Sequence, residues 1–136
     1  MAGAGHSMRL LLDTQIFIWW DSESEKLPAR LLQLCEDEAN SLVLSVASIW
    51  EMQIKAQLGK LDLNRPLQEI IHEQERANRI ELLSVQAAHV FGIQQLSFHH
   101  KDPFDRLLIA QAIVENMPVL SVDPLFMQYP IQVIAA

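Results

Sequence analysis

The sequence predicts an α/β protein: a three-layer α/β/α sandwich around a mostly parallel sheet of about four to five short strands. Three observations carry this. The chain has 136 residues, 50% of them apolar and 20% charged, so it can bury one core of ordinary size and leaves little length for a second. Its apolar residues come in runs of about three to six, far short of the ~18 needed to span a bilayer. Those runs alternate with amphipathic stretches punctuated by Pro, Gly and Asp, the pattern of strands crossing over through helices.

Taken in order, residues 1–7 are small and polar, lack the basic and apolar regions of a signal peptide, and read as a cloning remnant; a single domain is expected over 8–136. Arg9-Leu10-Leu11-Leu12 reads as a buried strand ending at Asp13. An apolar stretch, Thr14 to Trp20, follows and is broken by an exposed loop at Asp21–Glu25. Pro28 opens a helix to about Glu38. Leu42–Leu44 is a second strand. Ser45 or Ser48 caps the next helix, whose apolar face is Ile49, Trp50, Ile54 and Leu58 and whose end is Gly59. Pro66 opens a helix to about Asn78. Ile80–Leu82 is a third strand, and Ser84–Gln95 and Pro103–Asn116 are helical in pattern. Pro118–Val122 is a strand ending at Asp123, and Ile131–Ile134 is an edge strand.

Composition narrows the chemistry. Cys35 is the sole cysteine, which excludes an internal disulfide framework and a zinc site built on paired cysteines, and suits a reducing cytoplasm. The net charge of −7 argues against a broad basic face for nucleic acid. Any handling of nucleic acid is expected at a local site where metal ions invert the field.

Sites in open parallel sheets form beyond the carboxyl ends of the strands. Asp13 and Asp123 lie at two such ends, and each has the alternative of capping the next helix. Glu51 lies within a helix, where a solvated side chain paired with Lys55 four residues on is the simple expectation. The run His100-Lys101-Asp102-Pro103-Phe104-Asp105-Arg106 is the densest signal. Asp102 before Pro103 is a helix cap followed by proline at the first helical position. Asp105 then sits near the positive end of the helix dipole. Carboxylates gathered in this way raise one another's pKa unless a cation joins them, and oxygen donors suit Mg²⁺ or Mn²⁺ rather than Zn²⁺. Other polar and aromatic residues have plainer explanations. Trp19, Trp20 and Trp50 are expected in core or interface packing, His72 and His89 at or near the surface, His99 and His100 in loop hydrogen bonds, and Glu36-Asp37-Glu38 as a solvated helix end. Arg106 can pair with a carboxylate or a phosphate.

Four segments together resemble a known family. They are Leu11-Leu12-Asp13-Thr14-Gln15 with Trp19-Trp20; Ser45 to Lys55, containing Trp50-Glu51; His100 to Ala112, containing Asp102-Pro103-Phe104-Asp105-Arg106; and Val119-Leu120-Ser121-Val122-Asp123. In this order they resemble PIN domains, and among them the VapC-like toxins of type II toxin–antitoxin systems. The resemblance implies that Asp13, Glu51, Asp105 and Asp123 converge on one or two Mg²⁺ or Mn²⁺ ions. Thr14 would orient metal or water, with Asp102 and Arg106 as auxiliary residues. Gln15 and Ser121 depart from the histidine and threonine common at these places, and neither change removes a carboxylate. The implied activity is a metal-dependent endoribonuclease of the cytoplasm. RNA would be its substrate, a cognate antitoxin and a second copy of the chain its partners, and no membrane would be involved. Arg9, Lys55, Lys60 and Arg106 are candidates for a local basic rim, and the surroundings of Trp19 and Trp20 for the antitoxin groove. Two alternatives stand beside this reading: a non-catalytic protein-binding module of the same fold, and a receiver-like phosphoacceptor domain. The latter wants an acidic pair at the first strand, where only Asp13 stands.

Overall fold

A computed structural model describes residues 7–98 and 101–136. Five strands form one parallel sheet: β1 (Arg9–Leu12), β2 (Ser41–Ser45), β3 (Glu81–Leu83), β4 (Val119–Leu120) and β5 (Val133–Ile134), in the order β3-β2-β1-β4-β5. The central strand is set by its leucines. Leu10 pairs with Leu42, and Leu11 pairs with Val43 on one side and Val119 on the other. Successive side chains of a strand point to opposite faces. Leu10 and Leu12 therefore enter one core with Ile16, Phe17, Leu31, Leu44, Met52 and Ile70. Leu11 and Val43 enter another with Leu108, Ile109, Val119, Phe126 and Tyr129. A strand buried on both faces cannot show polar alternation, which is why β1 reads as an unbroken apolar run.

The helices follow from local signals and from the two cores. α1 (Thr14–Ser22), α2 (Ala29–Glu36), α3 (Val46–Gln57) and α4 (Leu67–Asn78) supply Ile16 and Phe17, Leu31, Met52, and Ile70 to the first core. α6 (Pro103–Glu115) supplies Leu108 and Ile109 to the second, and α5 (Ala87–Gly92) packs on α6. This is the three-layer sandwich expected.

The boundaries differ in detail. The stretch Thr14–Trp20 is helical and extends to Ser22. Pro28 and Pro66 stand at the N-cap positions of α2 and α4. α2 stops at Glu36 because Asp37 turns its carboxylate onto the Ala39 amide, a local bond that competes with the helix ladder. Ser45 caps α3 by accepting from the Ala47 N–H, and Gly59 takes the left-handed conformation (φ 73°) just past its end. β3 lies one residue later than expected. Helix Ser84–Gln95 shrinks to Ala87–Gly92 with a 3₁₀ turn at Ile93–Gln95, and the last two strands narrow to two residues each.

His72 is exposed as expected, but His89 is fully buried. Its Nδ1 accepts from the Gln86 N–H at 2.9 Å, so the proton belongs on Nε2, which donates to Glu115 Oε2 at 2.9 Å. The imidazole thus fastens α5 to α6. His99 and His100 lie outside the described residues.

Candidate active site

Three strand ends deliver the site. β1 hands over to α1 at Asp13, β2 to α3 at Ser45, and β4 leads through Ser121 to Asp123. Asp13 stands at the N-cap position of α1 without a side-chain capping bond. It is buried, and its Oδ2 accepts from Ser121 Oγ at 2.8 Å. The same Ser121 oxygen accepts from the Asp123 backbone N–H at 3.0 Å, so one hydroxyl ties the first acid to the last. Asp123 also caps the 3₁₀ turn that follows, its Oδ1 accepting from the Leu125 N–H at 3.0 Å. Burial pushes the Asp13 carboxyl above its ordinary pKa. The Ser121 bond opposes that shift, while the nearby charges of Glu51 and Asp123 add to it.

Glu51 corrects an expectation: it is only 5% exposed rather than solvated. Thr14, the first residue of α1, lies 2.8 Å from Glu51 Oε1 and 2.9 Å from Ser48 Oγ. A carboxylate only accepts, so the Thr14 proton goes to Glu51 and Ser48 donates to Thr14. Ser48 and Glu51 share a face of α3 by their spacing of three residues. The pairing of Glu51 with Lys55 is as expected, at 2.9 Å from Oε2. Ser48 and Ser121 are the supporting residues whose roles sequence reading missed. Their only signal was a hydroxyl placed three residues before one acid and two before another.

α6 brings the remaining acids. Asp102 is the cap predicted for it, its Oδ1 accepting from the amides of Phe104 (2.8 Å) and Asp105 (3.3 Å). Asp105 lies in the first turn, half-buried. Trp50 of α3 packs edge-to-face on Phe104, with ring centroids 5.2 Å apart, and sets the start of α6 beside α3. Glu51 raises the pKa of Lys55, and the fields of Asp102 and Asp105 reach the same ammonium. Charge thus links the predicted acids in two sets: Glu51 and Asp123 act on Asp13, and Glu51, Asp102 and Asp105 act on Lys55. As the side chains are placed, no three His, Cys, Asp or Glu among the described residues form a group able to hold one metal ion. The donor chemistry itself, carboxylates backed by hydroxyls with Asp13 buried among them, fits an oxygen-preferring divalent cation.

The basic rim needs correction. Arg106 is buried, and its guanidinium donates to the Ser97 carbonyl at 3.0 Å and lies over the Phe98 ring. It fastens the segment before α6 instead of lining an exposed edge. Arg9 pairs with Glu81 at the start of β1, the end of the sheet opposite Asp13. Lys60 lies past the far end of α3, which itself runs roughly 9 Å along its axis from Glu51 to Gln57 at 1.5 Å per residue. Lys55 alone of the four stands at the site.

No curated protein matches this sequence. Among the solved structures that share its fold are three from toxin–antitoxin complexes by their names. A chain of VapBC2 from Rickettsia felis, bound to a DNA fragment from its promoter, aligns with a TM-score of 0.69 and 18% identity, covering 93% of this chain and 98% of its own. A chain of DNA-bound VapBC from Salmonella typhimurium gives 0.68 and 15%, covering 93% and 97%. A chain of FitAcB from Neisseria gonorrhoeae gives 0.61 and 18%, covering 93% and 96%. The sequence matches the PIN domain family over residues 10–131, nearly the whole chain. A match over so much of the chain, with a fold to suit it, shows that this chain belongs to the PIN domain family.

Proposed function

We propose that this protein is a Mg²⁺- or Mn²⁺-dependent endoribonuclease, the toxin of a VapBC-type pair. The observation that carries the reading is the buried Asp13, tied through Ser121 to Asp123 and lying in the field of Glu51 at the carboxyl edge of a parallel sheet. Asp13, Glu51, Asp105 and Asp123 would hold the ion. Bound there, it would supply an activated water and offset the charge of an in-line displacement at phosphorus, leaving 5′-phosphate and 3′-hydroxyl ends. The chain's own contribution is orientation. Ser121 fixes Asp13, Thr14 and Ser48 fix Glu51, and Asp102 anchors the helix that presents Asp105. This local arrangement reconciles nucleic acid chemistry with a net charge of −7.

The partners belong to the same proposal. Neighbours in fold are chains of VapBC and FitAcB, which supports an antitoxin as partner. Trp20 lines a polar groove of about 890 Å³ with Asp21, Glu36, Asp37 and Arg79, at the opposite end of α1 from Asp13. A partner covering both places must run the length of α1, about 13 Å for nine residues. Exposed Val90, Phe91, Ile113 and Val114 on α5 and α6 offer an apolar face for a homodimer. No helix among the described residues is long and apolar enough to cross a membrane; a cytoplasmic setting is part of the proposal. Incubating the purified, antitoxin-free chain with RNA and Mn²⁺ tests the activity. Cleavage that Asp13→Asn abolishes supports it, and inert wild-type protein contradicts it.

A further inference from the structure

Both oxygens of Glu51 have a partner within this chain: Oε1 the Thr14 hydroxyl at 2.8 Å, and Oε2 the Lys55 ammonium at 2.9 Å. These partners differ in kind. Thr14 is buried and held by Ser48, whereas the Lys55 side chain is 47% exposed and hangs on a flexible four-carbon stem. Helix spacing puts Lys55 one turn past Glu51. The Trp50–Phe104 contact brings the start of α6 alongside, so Asp102 and Asp105 act on the same ammonium. The Lys55 ammonium thus holds a buried carboxylate of α3 and lies in the field of the acids that open α6. A surface pair at this spacing would leave both partners largely in water, but here Glu51 is buried and held in place from behind.

We propose that Lys55 is a tethered cation of this site, holding Glu51 when no divalent ion is bound and surrendering it when one binds, so that it sets the site's affinity for metal. The proposal rests on the metal-dependent reading given above. Two cations cannot both contact Glu51 Oε2 without repelling each other. The ion is doubly charged and takes several carboxylates at once, while the ammonium has an exposed path to water; the ammonium is the one that leaves.

Titration calorimetry of Mn²⁺ into the full-length, partner-free chain tests this, with Lys55→Met and Lys55→Gln removing the charge and Lys55→Arg keeping it. Both neutral variants should bind Mn²⁺ about tenfold more tightly than wild type, since a competing charge is gone. Lys55→Arg should bind within about threefold of wild type. The neutral variants should also melt at a lower temperature without metal, because Glu51 then lies buried without its counter-ion. A lysine that merely lay near the site would raise the Mn²⁺ affinity without lowering the metal-free melting temperature, so the two shifts together identify the contact with Glu51. Neutral variants that bind no tighter than wild type overturn the proposal while leaving the metal site standing. If wild type and all variants fail to bind Mn²⁺, the metal-dependent reading falls and this proposal with it.

Discussion

Asp102 and Asp105 are three residues apart in one motif, and the structure gives them different work. Asp102 Oδ1 accepts from two amides at the start of α6. Asparagine offers the same oxygen, so Asp102→Asn should change stability by only a few tenths of a kcal/mol and leave most cleavage in place. Asp102→Ala removes the acceptor and should cost about 1 kcal/mol, a fall in melting temperature of roughly 4 °C for a domain of this size. Asp105 lies in the first turn of the helix, where its charge reaches Lys55 beside Glu51. Asp105→Asn keeps shape and hydrogen-bonding capacity but deletes that charge. The like-charge repulsion it relieves is offset by the attraction to Lys55 that it loses, so the metal-free melting temperature should stay close to wild type. A fall in cleavage rate of about a hundredfold or more is expected if the residue holds metal, since each tenfold corresponds to about 1.4 kcal/mol of barrier. The assay is cleavage of a labelled RNA with Mn²⁺, together with melting in EDTA, for all three variants. An active Asp105→Asn beside a dead but folded Asp102→Asn would reverse the assignment and refute the reasoning.

Three further outcomes follow from particular contacts. Thr14→Val keeps the shape of the side chain but strips the hydroxyl from a buried carboxylate; a loss of about 1–3 kcal/mol in thermal melts is expected, and unchanged melting would refute the role given to Thr14. Burial holds the folded Asp13 pKa above its unfolded value of 3.8, so the folded state binds the proton more tightly and metal-free stability falls as pH rises from that value through the raised one. Asp13→Asn lacks this titration, so its advantage over wild type in EDTA should widen across that window and then level off, and a gap constant with pH would contradict it. His89→Ala empties a fully buried position and leaves Glu115 without its donor; a loss of about 2–3 kcal/mol is expected by denaturant titration, and wild-type stability would show that α5 is not fastened through this imidazole.

Much of the fold was legible because its signals are local. Runs such as Leu10-Leu11-Leu12 mark strands buried on both faces, Asp102-Pro103 marks a helix start, and Gly59 marks a helix end. What was misread depends on contacts between distant residues. α1 carries Ile16 to Trp20 as a continuous apolar run, so no 3.6-residue period separates a helix from a strand. Glu51, with Lys55 at i+4, has the appearance of a solvated helix residue. Its buried partner is Thr14, 37 positions earlier. His89 is drawn inward by Glu115, 26 residues away, and Arg106 by the carbonyl of Ser97. Asp13 and Asp123 were singled out by their positions at strand ends and Glu51 and Asp105 by family pattern, while the hydroxyls of Ser48 and Ser121 that bond beside two of them appear only once the elements are packed together.

The most direct test of a metal-dependent nuclease is the chemistry of the ends it makes. An end-labelled RNA oligonucleotide would be incubated with the antitoxin-free chain in Mn²⁺ or in EDTA, and with Asp13→Asn in Mn²⁺. The account predicts products only for the wild-type chain with Mn²⁺, each cut leaving a 5′-phosphate and a 3′-hydroxyl. Cleavage that persists in EDTA, products ending in a 2′,3′-cyclic phosphate, or an Asp13→Asn variant as active as wild type would contradict it.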